Sequence, residues 1–387
     1  MRSARTYHGG AAYRALTEDT TFNLLVARVW TVAASAGNPT FMLSDATRLK
    51  VGHRVLILNI GANSFPIETA AGGAVATLAA GDAIALTLMA NATAAGAWRG
   101  TVRALGGSTA ALRVLDLLVV GGTGTTTTTS RYGVAAGTWT AGAACPNGHV
   151  EGAASRIGGR VMVTGTFPLG AGALRNDEFT EAGAWTNRAD CQFQAGRTMA
   201  AAVRGRHLVF GGDAATNVAA YEANAWSARS VLPIAKTRGV AVGVGGKAVI
   251  VSGEPVATPN LLYDEAGDFF STIAYQPTTS RRSIAGFGIN GKVNVVGGRR
   301  DSPLTRYDVN EEYDPTTDAW TNRAPLSLGA RYGGAGIGAN GVGVYAGGRD
   351  NADAAAAGVA SFRFNAWTAL TALPAARAEI DNQGAAL

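Results

Sequence analysis

Short apolar runs that end in glycine recur along the chain from about residue 115, and each run is followed by two aromatic residues. The runs are LLVVGG ending at Gly122, VMVTG at Gly165, LVFGG at Gly212, VIVSG at Gly253, VNVVGG at Gly298 and VYAGG at Gly348. The aromatic pairs that follow are Tyr132 and Trp139, Phe179 and Trp185, Tyr221 and Trp226, Tyr263 and Phe270, Tyr313 and Trp320, and Phe362 and Trp367. The second aromatics lie 46, 41, 44, 50 and 47 residues apart, which indicates six copies of one unit.

Each unit has the pattern of four short strands. Segments such as RTMAAAVRGRHLVFGG from Arg197 and RSIAGFGINGKVNVVGG from Arg282 contain two apolar stretches separated by Arg-Gly or Asn-Gly, which predicts two strands joined by a tight turn. The two aromatic segments supply two more strands. Four strands per repeat are typical of a propeller blade, so the pattern predicts an all-β, six-bladed β-propeller.

The pattern closely resembles the kelch repeat over residues 115–387. The resemblance implies that the double glycine lets the second strand of a blade pass close to its neighbours, and that tyrosine and tryptophan fill the space between blades. It therefore assigns structural roles to Gly122, Gly212, Gly298, Gly348, Trp139, Trp185, Trp226, Trp320 and Trp367.

The ring is expected to close through the C-terminus. The first copy lacks an arginine-led strand before VLDLLVVGG, and the tail ARAEIDNQGAAL begins with Arg377 as such a strand would. We therefore expect the tail to complete the first blade, within a propeller domain of residues 108–387.

The N-terminal part has a different pattern. Residues 21–107 contain strand-like runs separated by glycine and asparagine, which predicts a compact β-rich module, and residues 1–20 are expected to form an arm that orders only against a partner. The segment from Phe41 to Trp98 resembles modules of tailed-bacteriophage fibre and spike proteins, which join a distal domain to the virion and often trimerise. An unrelated β domain remains an alternative.

Composition narrows the classes of function. With 52 glycines, 12 prolines, 47% hydrophobic and 16% charged residues, the chain is neither disordered nor collagen-like. A net charge of +6 over 387 residues is too dilute for a nucleic-acid binder. The sequence predicts neither a signal peptide nor membrane insertion, so we expect a soluble protein that is assembled in a host cytoplasm.

Recurring basic residues are the first candidate site. Each precedes a predicted axial strand, so six equivalent positions would form a ring at one mouth of the channel: Arg197, Arg238, Arg282, Arg331, Arg377 and His149. They form either a basic funnel for an anionic glycan or carboxylate, or structural bonds to backbone carbonyls and acidic neighbours. Recognition is also expected on the loops 123–133, 167–179, 299–313 and 349–362, with Tyr307 as a candidate for sugar contact.

No catalytic constellation, metal site or cofactor is predicted. The histidines His8, His53, His149 and His207 have no metal-ligand spacing to one another or to a cysteine, so a copper radical oxidase of kelch type is not favoured. Cys145 and Cys191 are equivalent in adjacent repeats. They form either an inter-blade disulfide or two small buried hydrophobic side chains.

These features favour a non-enzymatic virion structural protein, a head or tail fibre or spike. Its N-terminal part would dock on other virion proteins, as a homo-oligomer with a trimer favoured, and its propeller would bind a host-surface glycan. Two alternatives remain: a sugar-acting enzyme of mutarotase or oxidase type that uses the arginine mouth, and a cytoplasmic scaffold for protein interactions.

Overall fold

The structure is a computed structural model and divides into two units, Met1–Val114 and Leu115–Leu387. It describes all residues except 1–10, 17–19, 23–28, 35–39, 44, 50, 52–53, 60–63, 80–82, 104–115, 124–125, 134–136, 214, 256–257, 276–280, 340, 364, 381–383 and 387. Among the described residues, no helix has the length and apolar character needed to cross a membrane.

The first unit consists of two sheets between which the chain alternates. The five-stranded sheet has the order β1-β3-β5-β8-β9, and the four-stranded sheet has the order β2-β4-β6-β7. Their strands are β1 (Ala11–Leu16), β2 (Thr20–Phe22), β3 (Val29–Ala34), β4 (Phe41–Leu43), β5 (Arg54–Asn59), β6 (Phe65–Glu68), β7 (Ala74–Leu78), β8 (Ala83–Ala90) and β9 (Ala97–Arg103), with a 3₁₀ helix at Ala46–Arg48. The pairs β1–β3, β3–β5, β2–β4 and β4–β6 are parallel. The chain therefore visits both sheets three times in succession, with β1 and β2, then β3 and β4, then β5 and β6, and each visit adds a strand beside the previous one.

This unit modifies one expectation from the sequence. Residues 11–16 of the expected N-terminal arm form β1, which pairs with β3 along its whole length, and residues 1–10 lie outside the described part. Alternate residues of β4 and β6 point into one core, where Phe41 stacks on Phe65 with ring centroids 6.2 Å apart. The β-rich module therefore has a packed interior of its own.

The second unit is built from four-stranded sheets. Its strands are β10 (Leu117–Val120), β11 (Thr129–Gly133), β12 (Thr138–Ala141), β13 (Ala153–Ile157), β14 (Arg160–Thr164), β15 (Asn176–Thr180), β16 (Trp185–Asn187), β17 (Met199–Val203), β18 (Arg206–Phe210), β19 (Val218–Glu222), β20 (Ala225–Ala228), β21 (Val240–Val244), β22 (Lys247–Val251), β23 (Asn260–Asp264), β24 (Phe269–Ile273), β25 (Ala285–Ile289), β26 (Lys292–Val296), β27 (Arg299–Asp301), β28 (Leu304–Arg306), β29 (Asn310–Asp314), β30 (Ala319–Arg323), β31 (Tyr332–Ala339), β32 (Val342–Arg349), β33 (Val359–Arg363), β34 (Ala366–Leu370) and β35 (Gly384–Ala386), with a 3₁₀ helix at Ala171–Leu174.

We number the sheets as blades from the inner strand outward. Blade 1 is β35-β10-β11-β12, blade 2 is β13 to β16, blade 3 is β17 to β20, blade 4 is β21 to β24, blade 5 is β25-β26-β29-β30 and blade 6 is β31 to β34. All pairings within these blades are antiparallel. The all-β fold of four-stranded blades agrees with the fold class expected from the sequence.

The inner strands of the described blades contact one another in a closed cycle. The order of contact is β13, β17, β21, β25, β31, β35 and back to β13. The cycle closes through the C-terminal strand, because Leu117 and Leu118 of β10 pair with Ala386 and Ala385 of β35. Blade 1 therefore combines three strands from the start of the unit with one from its end.

Burial changes systematically from the second strand to the fourth. The second strands β14, β18, β22 and β26 are buried over their last four residues, which explains their continuous Val- and Ile-rich sequences. The third strands β23 and β29 are buried at three of five residues, and the outer strands β30 and β34 are exposed except at their tryptophan and their last residue. Apolar side chains thus accumulate between neighbouring blades, including between blades 6 and 1, where Leu117 packs with Ile337.

Five of the six seams between blades are also fixed by a hydrogen bond from tryptophan, and at the sixth Phe270 of blade 4 takes the place of tryptophan. The aromatic pair of a repeat lies directly across strands three and four, with ring centroids 4.8–5.2 Å apart. The indole N–H then donates to a backbone carbonyl that follows the outer strand of the preceding blade. These bonds are Trp139 to Thr371 at 2.8 Å, Trp185 to Ala143 at 2.9 Å, Trp226 to Ala189 at 2.8 Å, Trp320 to Ala274 at 2.9 Å and Trp367 to Ala324 at 2.9 Å.

The double glycines end the second strand where the backbone turns tightly against the next connection. Gly298 has a φ of 99°, and a Cβ placed there would lie 2.4 Å from the Ile284 side chain. Gly122, with a φ of 100°, would meet Ile380 at 2.6 Å. Both the left-handed backbone and the lack of space require glycine at these positions.

Candidate functional site

Six positions form a ring of backbone hydrogen bonds at one end of the inner strands. We call Glu151, Arg197, Arg238, Ser283, Gly333 and Glu379 the mouth ring. The amide of each of the five from Glu151 to Gly333 donates to the carbonyl of the preceding member, and the amide of Ile380 closes the ring on Gly333, with lengths of 2.7–3.2 Å. One hydrogen bond therefore crosses each seam at this mouth.

The mouth ring holds large side chains on an unfavourable backbone. Its members all have a positive φ, between 49° and 68°. Only Gly333 is a glycine, although a left-handed backbone costs about 1–2 kcal/mol for other residues. Backbone strain of this kind is found at binding and active sites, where the surrounding structure maintains it.

The side chains around the mouth form one alternating network of charges. Glu151 accepts from Arg197 at 2.9 Å and from Arg238 at 3.0 Å. Arg282 contacts Glu254 at 2.8 Å and Asp301 at 2.6 Å. The remaining pairs are Arg197 with Asp213, Arg238 with Glu254, Arg299 with Asp301, Arg306 with Asp353, and Arg349 with Glu379. Six arginines thus face six carboxylates, so the charges balance at this mouth, as the structural alternative with acidic neighbours expects.

Blade 5 adds a hairpin to this face. Its strands β27 and β28 bring Arg299 and Arg306 over the ring of Tyr332, with the guanidinium carbons 4.4 and 5.7 Å from the ring centroid. The Tyr332 hydroxyl donates to Asp353, and burial raises the pKa of Tyr332. The carboxylates of Asp301 and Asp353 remain about half exposed, at 50% and 54%, so a ligand can reach them.

The channel below the mouth is narrow and lined mostly by small side chains. It has a volume of 240 Å³ and is lined by three successive residues from each inner strand, most of them alanine or glycine. Only Ser155 and Arg156 contribute polar side chains to the described lining. Most of the charged side chains near this end therefore lie at the mouth rather than in the channel.

Three predicted members of the basic ring are not at the mouth. His149, Arg331 and Arg377 lie two residues before Glu151, Gly333 and Glu379, so they are not equivalent to Arg197 and Arg238. The prediction of six equivalent positions is therefore wrong for these three residues, which lie two residues before the mouth ring. Arg282 lies one residue before the mouth-ring member Ser283. We call the positions two residues before the mouth ring the anchor positions: His149, Ala195, Lys236, Arg281, Arg331 and Arg377.

The anchor side chains bond within the protein. Arg377 is 1% exposed and donates to Val119 O, Thr128 O and Ser130 Oγ at 3.2, 3.3 and 2.7 Å. Burial lowers its pKa to about 10. Lys236 donates to Ser252 O and Thr258 Oγ1, and burial lowers its pKa to about 8. These cations hold the loops behind the double glycines, which is the structural alternative foreseen for the ring.

Arg331 and Tyr307 lie side by side behind the mouth. The Arg331 amide donates to Tyr307 O at 3.0 Å, and its Nε donates to Leu328 O at 3.2 Å. Tyr307 is half-buried, with the Arg281 guanidinium 5.8 Å from its ring centroid. Its predicted contact with sugar stays a prediction.

A second cluster surrounds His149. Its Nδ1 lies 2.7 Å from Gly165 O and its Nε2 lies 2.9 Å from Asp177 Oδ2. The Cys145 thiol donates to the same oxygen at 3.5 Å, and all three side chains are buried. Burial, and then the charge of Asp177, strongly raise the pKa of Cys145.

The two cysteines are not bridged. Cys145 and Cys191 are both free and buried, so the disulfide alternative is wrong and the buried-hydrophobe alternative describes Cys191. Burial raises the pKa of Cys191 to about 11, which keeps it a neutral thiol.

His207 lies in β18 and belongs to a separate network. Ser155 Oγ lies 2.7 Å from its Nδ1, and its Nε2 lies 2.9 Å from Thr164 Oγ1. Thr164 donates in turn to Asn176 Oδ1 at 2.8 Å, so Nε2 carries the proton and Nδ1 accepts from Ser155. Complete burial lowers the pKa of His207 to about 3.

Sequence reasoning missed the acidic half of the mouth. Glu151 and Glu379 are mouth-ring members, and Asp213, Glu254, Asp301 and Asp353 complete the network. An available signal was that Glu151 and Glu379 each lie two residues after a basic anchor. Asp177 carried no such signal, since it is 28 residues from His149.

Comparisons with known proteins support the fold. Residues 280–327, which include blade 5, match the Kelch motif. The chain is similar to a solved structure titled "Structure of YjhT", with a TM-score of 0.52 and 17% identity over 61% of this chain and 87% of that one. No curated protein sequence matches the chain. The motif and the fold together support a kelch-repeat propeller.

Proposed function

We propose that this protein is a non-enzymatic binding protein that holds a neutral glycan at the mouth of its propeller. The observation that carries the proposal is the alternating network of six arginines and six carboxylates on that face. A sugar hydroxyl both donates and accepts hydrogen bonds, so it fits a surface on which carboxylate acceptors alternate with guanidinium donors.

The charge balance favours a neutral ligand over an anionic one. Each arginine of the network already faces a carboxylate, so an added anion would have to displace an existing ion pair. A neutral polyol can add hydrogen bonds without breaking these pairs. The half-exposed Asp301 and Asp353 offer accepting oxygens beside Tyr332.

Salt dependence tests the chemical class of the ligand. Purified full-length protein would be screened against immobilised neutral and anionic bacterial polysaccharides, and the tightest binder would be titrated at about 50 and about 500 mM NaCl. We expect a neutral glycan whose affinity changes less than about twofold, because hydrogen bonds between neutral and charged groups are weakly screened. Binding only to anionic polysaccharides, or a steep loss of affinity with salt, would overturn the proposal.

The wider role proposed for the protein is attachment of a phage particle to its host. In this role the N-terminal unit docks on virion proteins as an oligomer and the propeller contacts the cell surface. The test is to isolate particles and to delete residues 115–387. We expect the chain in the particles and a loss of adsorption on deletion. Particles without the chain would contradict the role, and turnover of a bound sugar would favour the enzyme alternative.

A further inference from the structure

Three side chains of one connection converge on a single buried carboxylate in blade 2. Cys145, Asn147 and His149 come from the segment between β12 and β13, and Asp177 is the second residue of β15. Asn147 Nδ2 lies 3.0 Å from both carboxylate oxygens. The sulfur, the imidazole nitrogen and a carboxylate oxygen lie within 4.8 Å of one another.

The hydrogen bonds of His149 place its Nε2 opposite an acceptor, so that a proton or a metal ion must lie between the two atoms. Gly165 O can only accept, so Nδ1 carries a hydrogen. In neutral imidazole Nε2 is then an acceptor, and it faces another acceptor, Asp177 Oδ2, at 2.9 Å. Two acceptors at this distance require a proton or a metal ion between them.

The other repeats show that this position is built for positive charge. Arg281 and Glu311 occupy the equivalent anchor and strand positions in blade 5 and form a buried ion pair at 2.8 Å. In blade 2 the anchor residue is His149 rather than a permanently charged arginine, and Cys145 lies beside it. In blade 3 Cys191 is the equivalent cysteine, but the anchor is Ala195 and the strand residue is Ala219, so no set of ligands forms there.

We propose that Cys145, His149 and Asp177 form a binding site for a divalent cation of the Zn²⁺ class. Thiolate, imidazole and carboxylate together are ligands for zinc and cobalt rather than for magnesium or calcium. Bond lengths of about 2.0–2.3 Å in a tetrahedral site separate ligand atoms by about 3.3–3.7 Å. The observed 2.9 and 3.5 Å lie close to these values, and the sulfur-to-nitrogen distance is at most 4.8 Å, so the ligands need to close in around the ion mainly along that edge.

Binding releases two protons to solvent. One is the thiol proton of Cys145, and the other is the proton that lies between His149 Nε2 and Asp177 in the metal-free protein. Gly165 O and Asn147 stay in place as outer partners, the first orienting the imidazole and the second the carboxylate. The fourth coordination position is available to a water molecule.

Cobalt spectroscopy tests the site directly. Full-length protein, stripped with a chelator and kept reduced, would be titrated with Co²⁺. We expect one equivalent to bind with a thiolate-to-cobalt charge-transfer absorption. Cys191→Ala, the matched buried cysteine, keeps this absorption. Cys145→Ala abolishes it and weakens Zn²⁺ binding at least about 100-fold in chelator competition. Absence of the absorption in the wild type, or its persistence in Cys145→Ala, would overturn the proposal.

A second variant separates metal binding from folding. His149→Arg places at this anchor the cation that blade 5 uses, so the variant is expected to fold. Added Zn²⁺ should raise the melting temperature of the stripped wild type, because an ion that binds the folded state stabilises it, and should leave that of His149→Arg unchanged. An equal rise in both proteins, or no rise in either, would contradict the site.

Discussion

At the residue scale, the residues at equivalent positions of the six repeats can be compared directly with one another. Anchor positions hold lysine, arginine or histidine in five repeats and alanine in blade 3, and the bonding partners of these cations differ between repeats. Glu311 faces Arg281 at 2.8 Å and Ser130 faces Arg377 at 2.7 Å. A buried cation is kept where a bonding partner exists, since an unpaired buried charge is costly.

Gly298 tests whether the glycine pattern reflects lack of space. Gly298→Ala should lower the free energy of unfolding by about 3 kcal/mol, because an added Cβ meets Ile284 on a backbone that disfavours it. Gly291→Ala, at a hairpin with a φ of 76° and open space around its Cβ, is the matched control and should cost about 1 kcal/mol. Denaturant unfolding measures both, and equal losses would contradict this explanation.

His207 should make the fold sensitive to acid. Burial lowers its pKa to about 3, whereas in the unfolded chain it titrates near its ordinary value of about 6.5. The unfolded state therefore binds the proton first as the pH falls. The contribution of neutral His207 is complete above about pH 6.5 and is lost towards pH 3, with a limiting slope of about 1.4 kcal/mol per pH unit.

Comparison with His207→Gln isolates this effect from other titrating groups. The free energy of unfolding would be measured for both proteins between about pH 4 and 7, the range set by the two pKa values. We expect the wild type to lose stability faster than the variant as the pH falls. Parallel curves would show that His207 does not titrate on unfolding.

At the element scale, the closing strand is the most consequential feature. β35 joins the end of the unit to β10, and Arg377 and Ile380 before it are buried at 1% and 0% exposure. The Trp139 indole donates to Thr371 O across the same seam, so blades 6 and 1 are joined by the kind of hydrogen bond that joins other neighbouring blades. A ring closed by strands from both ends of the unit makes the end of the chain part of the core.

Deletion of residues 376–387 should therefore lower the melting temperature of the propeller by at least about 10 °C. The reason is the loss of Ile380 and Ala378 from the core together with the inner strand of blade 1. Differential scanning calorimetry of the full chain and the truncated chain provides the measurement. An unchanged transition would refute closure through the C-terminus.

The repeating elements could be predicted because their residues have few substitutes. Glycine at positive φ and tryptophan bonded across a seam recur at fixed spacing, so the sequence shows the blades directly. The mouth was harder, because Arg197 and Arg331 look alike in sequence and differ by two residues of register. The blade 5 hairpin and the convergence of Asp177 on His149 depend on contacts between distant segments, which spacing does not reveal.

At the scale of the whole molecule, the inner strands of the propeller enclose a narrow channel with charged side chains at its mouth. The channel is lined mostly by alanine and glycine, whereas charged side chains form a continuous network at one mouth. The opposite ends of the inner strands carry hairpin turns such as Arg204-Gly205. The opposite face also carries ion pairs, such as Arg206 with Glu222, so the mouth is distinguished by its ring of backbone hydrogen bonds, and we propose that the ligand binds there.

Isothermal titration of the best neutral glycan against two variants tests this account most directly. Arg238→Ala breaks the mouth network at its bonds to Glu151 and Glu254, whereas Arg204→Ala removes an exposed arginine from the opposite face. We predict a Kd at least about tenfold higher for Arg238→Ala, the loss expected for a hydrogen bond to a charged group, and an unchanged Kd for Arg204→Ala. Equal affinities for both variants and the wild type would contradict binding at the mouth.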